Sequence, residues 1–276
     1  MTTERTTTLA ASDGTSLVAR DLGAADASRT LVIVHGYGEH GGRYLARART
    51  FVDAGYRVVI PDVRGHGRSG GPRGHVDRFD RYLDDLAIVV DAAAPKRLSL
   101  LGHSHGGLIV AAALTAGRTY GADRVGLSSP FLGLGLNPPA WKVKAAALLS
   151  KLGPRVSLPS EIKPSDVSRD PAVVAAYSTD PLNHHVNNAR WYTEAMAAID
   201  RCFERAAAVT VPTLVMQAGA DKLVSPAAAR RWADAAPATL VRYEEVAGAY
   251  HELLFEPDGQ RHADRLLRWF EHEEAG

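Results

Sequence analysis

The 276-residue chain has a single cysteine, Cys202, so no internal disulfide can staple it, and the simplest reading is a thiol in a reducing compartment. No stretch approaches the roughly 18 consecutive apolar residues that a bilayer-spanning helix needs. The opening "MTTERTTTLAASDG" lacks the apolar centre of a signal peptide. Neither sign of charge is in excess: 32 lysines and arginines face 31 aspartates and glutamates. That balance gives no electrostatic reason to expect nucleic acid or an anionic membrane as partner. Eleven histidines are present, yet there is no H-E-x-x-H and no compact cluster with zinc-ligand spacing, so no metal is expected. Repeats and low-complexity linkers are also missing. These absences predict a cytoplasmic globular protein, and 46% hydrophobic residues with 23% charged ones suffice for a folded core.

What is present is alternation. "TTTLAASDGTSLVARDLG" reads as an antiparallel hairpin turning at Asp13-Gly14. Short apolar runs follow at 30–36, 56–62, 97–103, 124–130, 212–219 and 239–246. Helical patterns separate them at 43–55, 76–94, after Ser104 and at 225–237, and "QRHADRLLRWFEHEE" closes the chain. Strand–helix alternation of this kind predicts an α/β protein with a mostly parallel eight-stranded sheet and helices on both faces. One connection, Pro130 to Val211, is about 80 residues long, where a crossover needs far fewer. It is expected to hold a helical cap at 131–205, inserted after the sixth strand into a core of 1–130 and 206–276. The cap would lie over the sheet's C-terminal edge, where open α/β sheets bind ligands. Within it, "PPAWKVKAAALLSKLGP" is a helix opened by proline and closed by glycine. Its Trp141, Ala145, Leu148, Leu149 and Leu152 recur at helical spacing and are expected to pack inward rather than touch a membrane.

In "LSLLGHSHGGLIVAAAL" a short buried-type strand is followed by an alanine- and leucine-rich helix. Between them lies Gly102-His103-Ser104-His105-Gly106, a G-x-S-x-G sequence. In that setting it describes a nucleophile elbow, whose glycines let strand and helix approach closely; the plainer alternative is a glycine-rich turn with an incidental serine. A serine hydroxyl needs a base and a group that orients the base. In this architecture they follow in the order Ser, Asp or Glu, His, each just beyond a strand. Asp221 in "PTLVMQAGADKLVSP" and His251 in "TLVRYEEVAGAYHELLFEP" meet both conditions. His272 lies in the tail and His184-His185 in a polar stretch of the cap, while His103 and His105 flank the serine and point away from it. The loop "VIVHGYGEHGGRY" follows the first core strand and would lend the Tyr37 N–H to an oxyanion hole. His105 N–H, at the helix start, would be the second donor. His35 would shape the loop, and Glu39 would anchor it.

The motifs "HGYGEHGGRY", "PDVRGHGRSGGPRG", "GHSHGG", "SSPFLGL", "SRDPAVVAAYSTDPL", "QAGADKLVSP" and "AYHELLFEP" occur in order from about residue 30 to the end. In them the chain resembles the α/β-hydrolases of the monoacylglycerol lipase and lysophospholipase group. The resemblance implies the α/β-hydrolase fold, Ser104, Asp221 and His251 as the catalytic set, Tyr37 and His105 as oxyanion donors, and the cap. It also implies hydrolysis of a monoacylglycerol or similar single-chain acyl ester through an acyl-enzyme, without a cofactor. A lysophospholipase, a short-chain esterase, an aminopeptidase-like amide hydrolase and a non-catalytic binder are the alternatives. Membrane contact would be transient at most, through the cap. His105 stands where many relatives carry methionine, which would make that pocket wall more polar.

Overall fold

In the computed structural model, which describes residues 4–135, 139–160 and 162–272, the hairpin at the N-terminus forms as expected. Strands β1 (Arg5–Ala10) and β2 (Ser16–Leu22) pair antiparallel, and Gly14 takes the left-handed φ of +80° that the tight turn requires. The other strands of the main sheet are β3 (Arg29–Val34), β4 (Tyr56–Pro61), β5 (Leu98–His103), β6 (Ala122–Ser128), β9 (Thr213–Ala218) and β10 (Val241–Val246). Between β6 and β9 a separate two-stranded antiparallel ribbon joins β7 (Ser157–Pro159) to β8 (Val186–Asn188). The eight-stranded sheet has the order β1-β2-β4-β3-β5-β6-β9-β10 and is parallel from β4 onward.

The strands in the middle of the sheet are buried on both faces, and their alternate residues supply two cores. Val32, Val34, Leu100, Leu127 and Val215 face one side. There they meet α2 (Asp80–Ala93), α3 (His105–Thr115), α6 (Ala189–Glu204) and α7 (Pro226–Ala235). Leu31, Ile33, Leu101, Leu214 and Met216 face the other, against α1 (Leu45–Asp53) and α8 (Gly259–Phe270). Local signals set the helix starts. Ser225 caps α7 by accepting the Ala228 N–H, with Pro226 in the first turn, and Asn188 caps α6 by accepting from Arg190 and Trp191. The closing helix ends at Phe270, so the residues 273 and 274 expected in it lie outside the described ones.

The long connection carries α4 (Ala140–Leu152) and α5 (Pro171–Thr179), and then α6. Cys202 and its neighbours Ala195, Ala198 and Ile199 bury α6 in the first core. Helix α4 corrects an expectation. Its apolar stripe does not pack inward, since Trp141 is 67% exposed, Leu148 60% and Leu152 78%. The reason lies on the opposite face, where buried Ser150 hydrogen-bonds Thr193 of α6 at 2.8 Å. The small and polar side of α4 therefore meets the protein, and the bulky side faces out. Among the described residues no helix is long and apolar enough to cross a membrane.

Candidate active site

Ser104 stands alone between the end of β5 and the start of α3, with φ +51° and ψ −114°. A serine rarely adopts such a backbone, and here the neighbours enforce it. Ser104 N–H donates to Ser128 O at 3.0 Å, while Ser104 O accepts from Leu108 at 3.0 Å and Phe131 at 2.9 Å. The flanking glycines make the turn possible. A Cβ on Gly102 would lie 2.5 Å from Gly106 O, and one on Gly106 would lie 2.1 Å from Val34 O. Ser104 itself is partly accessible.

Asp221 lies just past β9 and is wrapped by its own turn. Its Oδ1 accepts the Leu223 and Val224 N–H groups at 2.9 and 3.0 Å. Its Oδ2 accepts from Gln217 at 3.2 Å and meets His251 Nδ1 at 2.7 Å. Burial would raise the Asp221 pKa, but the His251 charge and these donors outweigh it, so the carboxyl is held below its usual range. For His251, burial would lower the pKa; Asp221 first, then Glu252 and Glu39, outweigh it and raise the value. An Nδ1–H donated to Asp221 leaves Nε2 as the lone-pair nitrogen, the one a base would present. The His103 ring lies against His251, with centroids 4.8 Å apart. The structure thus joins Asp221 to His251 and sets the neighbour of Ser104 beside them. Among the described residues no hydrogen bond joins the Ser104 hydroxyl to His251, a contact that often tightens only with substrate bound.

The loop after β3 approaches the same point from the other side. A Cβ on Gly36 would come within 3.3 Å of Ser104 Cβ. His35 does shape this loop: its Nε2 accepts the Val63 N–H at 2.9 Å and its Nδ1 meets Gly36 O at 2.7 Å. Glu39 does anchor it, accepting the Gly36 N–H at 2.6 Å and the Tyr44 hydroxyl at 2.8 Å. The Tyr37 ring stacks on Trp191 at 3.7 Å, and its hydroxyl donates to Gly74 O at 2.9 Å. His105 opens α3, so its N–H is one of the helix's orphan donors. Its side chain, however, corrects the expected polar wall. The imidazole is fully buried among Tyr37, Phe79, Tyr82 and Trp191, and neither ring nitrogen has a partner among the described residues. Burial first, then the charges of His35 and His184, push its pKa down to about 3.

Several neighbours were not singled out from the sequence. His184, set aside as part of a polar stretch, packs on the Tyr37 ring at 5.1 Å, and its N–H donates to Gly38 O at 2.9 Å. Arg43 spans Glu39 and Glu252, gripping Glu252 with two bonds of 2.7 Å. Two signals could have exposed that network, the i,i+4 spacing of Glu39 and Arg43 and an acidic residue directly after His251. Glu39, His103 and Glu252 are the one group of possible metal ligands among the described residues, and Arg43 already engages both carboxylates.

Comparison with known proteins agrees with this architecture. The family model described as serine aminopeptidase, S33, matches residues 25–258. The chain is 37% identical over 258 residues to the monoacylglycerol lipase of Mycolicibacterium smegmatis, an alignment covering 88% of each protein. It is 33% identical to the phospholipase YtpA of Bacillus subtilis, over 83% of this chain and 89% of that one. Among solved structures, the monoacylglycerol lipase of Paleococcus ferrophilus superposes with a TM-score of 0.83 at 26% identity, covering 99% of this chain and 100% of that one. With a family model spanning most of its length and relatives of this identity, the chain belongs to the serine aminopeptidase S33 family of α/β-hydrolases (Hydrolase_4).

Proposed function

We propose that the protein is a serine carboxylic-ester hydrolase acting on monoacylglycerols or similar single-chain acyl esters. The observation that carries the reading is the 2.7 Å Asp221–His251 pair at the strand ends beside the strained Ser104 elbow. The monoacylglycerol lipases among its relatives support the substrate class. In this mechanism His251 Nε2 takes the Ser104 proton as the serine oxygen attacks the ester carbonyl. Asp221 holds the imidazole's tautomer and stabilises its charge. The oxyanion is met by the Tyr37 and His105 N–H groups, and one such donor is worth about 3–4 kcal/mol of barrier. His251 then protonates the departing alcohol, and water repeats the cycle on the acyl-enzyme.

Residues 131–205 form the cap in this reading, and its exposed α4 stripe is the contact with lipid aggregates. Each methylene of an acyl chain that the capped site buries would add about 0.8 kcal/mol of binding. The buried, unpaired Cys202 fits a cytoplasmic enzyme. Relatives named phospholipase YtpA and lysophospholipase L2 favour a second reading, in which the head group is a phosphodiester.

A hydrolysis panel tests the function. It contains a short-chain ester, 1-monoacylglycerols of increasing length, a lysophospholipid and an aminoacyl amide, with Ser104→Ala as control. Turnover should rise with acyl length to a cutoff, and Ser104→Ala should lose several orders of magnitude while keeping its fold. Near-normal hydrolysis by that variant would sink the assignment, and preference for the lysophospholipid would select the second reading.

A further inference from the structure

The Tyr37 loop and His251 lie on opposite sides of the sheet's middle, yet one buried side chain joins them. The path starts at Gly36, whose N–H donates to Glu39 Oε1 at 2.6 Å and so fixes the peptide that precedes Tyr37 N–H. Glu39 Oε2 accepts from Arg43 Nη1. Nη1 and Nη2 of Arg43 then donate to the two carboxylate oxygens of Glu252, the residue bonded directly to His251. Glu252 is tied down in turn, its N–H donating to Val167 O at 2.8 Å. The guanidinium is clamped between the rings of Phe255 and Tyr177, at 4.7 and 5.2 Å. Both carboxylates are buried, and the arginine side chain is only 8% exposed.

A buried carboxylate–guanidinium–carboxylate arrangement is weak evidence for stability, because desolvation offsets much of its Coulomb attraction. Its better-attested use is to fix register. A planar, two-pronged guanidinium does this where a lysine cannot, since its fork sets direction as well as distance. Here the fork points one way to the loop that carries one oxyanion donor and the other way to the residue after the base. We propose that Arg43 is a positioning residue that couples the geometry of the oxyanion loop to that of His251 through Glu39 and Glu252. This deepens the ester-hydrolase reading and rests on the roles it gives Tyr37 and His251.

The test uses the full chain, a soluble p-nitrophenyl ester, and fluorophosphonate titration so that kcat is expressed per reactive site. Misplacing a reacting group by about 1 Å costs on the order of 100-fold, so Arg43→Met should lower kcat by about that factor. Arg43→Lys, keeping charge without the fork, should lose on the order of tenfold. KM should stay within about threefold in both, which a general loosening of the fold would not respect. The decisive measurement is a cycle of Glu39→Gln, Glu252→Gln and the double variant. If both carboxylates act through Arg43, the double variant loses little more than the worse single one; if each acts only on its own loop, the losses multiply. Multiplying losses, or an Arg43→Met enzyme within about threefold of wild type, would overturn the proposal. Should Arg43→Met fail to fold by circular dichroism, Arg43→Lys and the cycle decide. Ser104→Ala separates the two levels. If it stays active, the ester-hydrolase reading falls and takes the clamp's role with it; if it is inactive while the Arg43 variants are unimpaired, the clamp alone falls.

Discussion

His105→Met is the most informative single change for the physics of the site, because it exchanges one buried side chain and leaves the backbone donor in place. The imidazole is fully buried, its two ring nitrogens have no partner among the described residues, and its pKa is pushed down to about 3. In the unfolded chain the same imidazole titrates near 6.5. As pH falls from 7.5 to 5, the unfolded state therefore binds a proton that the folded state refuses, and folding loses stability. At pH 5 the gap is about 1.5 pH units below the unfolded value, or about 2 kcal/mol. Methionine carries no such proton. At pH 7.5 the two proteins should be similar. An unpartnered buried polar group costs about 1–3 kcal/mol, and edge-on ring contacts return about 0.5–1.5 kcal/mol each. Between pH 7.5 and 5 the advantage of His105→Met should widen by about 2 kcal/mol, about 4–8 °C in Tm for a chain near this size. Thermal melts at pH 7.5, 6 and 5 measure it, with urea titrations as a check. A gap that stays flat or narrows toward pH 5 would refute the reasoning. Ester turnover at pH 7.5 should remain within a few-fold, since the proposed donor is the backbone N–H.

Other expectations follow from the same geometry. Asp221 outweighs the effect of burial and holds the His251 pKa above its ordinary value, so activity should fall on acidification at a higher pH than an ordinary histidine would set, as the imidazole becomes protonated; an acid limb below the ordinary histidine range would contradict this. Asp221→Asn should cut kcat on the order of 10⁴-fold and move the acid limb of its residual kcat/KM profile to lower pH; a loss under tenfold would exclude the proposed role. Replacing Trp141, Leu148 and Leu152 together by serine should leave soluble-ester turnover unchanged and move Tm by no more than about 3–6 °C, because surface substitutions stay within about 0.5 kcal/mol each. The same variant should bind monoacylglycerol-bearing vesicles at least about tenfold more weakly, since one buried leucine is worth about 1.5–3 kcal/mol; unaltered vesicle binding would remove α4 from the lipid contact.

Much of this was legible in the residue order. Short apolar runs gave the six strands β3–β6, β9 and β10, the central ones because a parallel sheet buried on both faces has little freedom in composition, and alternation around Asp13-Gly14 gave the hairpin β1–β2. Gly102 and Gly106 announced the elbow because only a missing Cβ lets Val34 O and Gly106 O come so near. Asp221 and His251 were singled out by their place after strands, and the fold brings the two side chains together across 30 residues of chain. Three features resisted. The orientation of α4 depends on which face its neighbour offers, and periodicity gives the stripe without saying whether it points inward. His105 looked polar because histidine is polar by type; its surroundings come from four rings on distant segments, which no local pattern encodes. The Arg43 fork was hidden for the same reason, as Glu252 lies 209 residues away in sequence.

The long connection is not one piece in its attachments. Its later part is bolted to the Tyr37 loop by His40 and Asp180 at 2.9 Å, by His184 N–H on Gly38 O, and by the Trp191 stack. Its earlier part, α4, leans on α6 through small residues and turns its bulk away. Natural variation would therefore fall unevenly on the two. Under the proposed lipid contact, exchanging α4 for a helix of another sequence would alter what the molecule lands on, whereas a change at Asp180, His184 or Trp191 would reach the Tyr37 loop and the oxyanion donor proposed there. If α4 is the proposed lipid contact, grafting it between relatives should change vesicle binding while soluble-ester turnover stays constant.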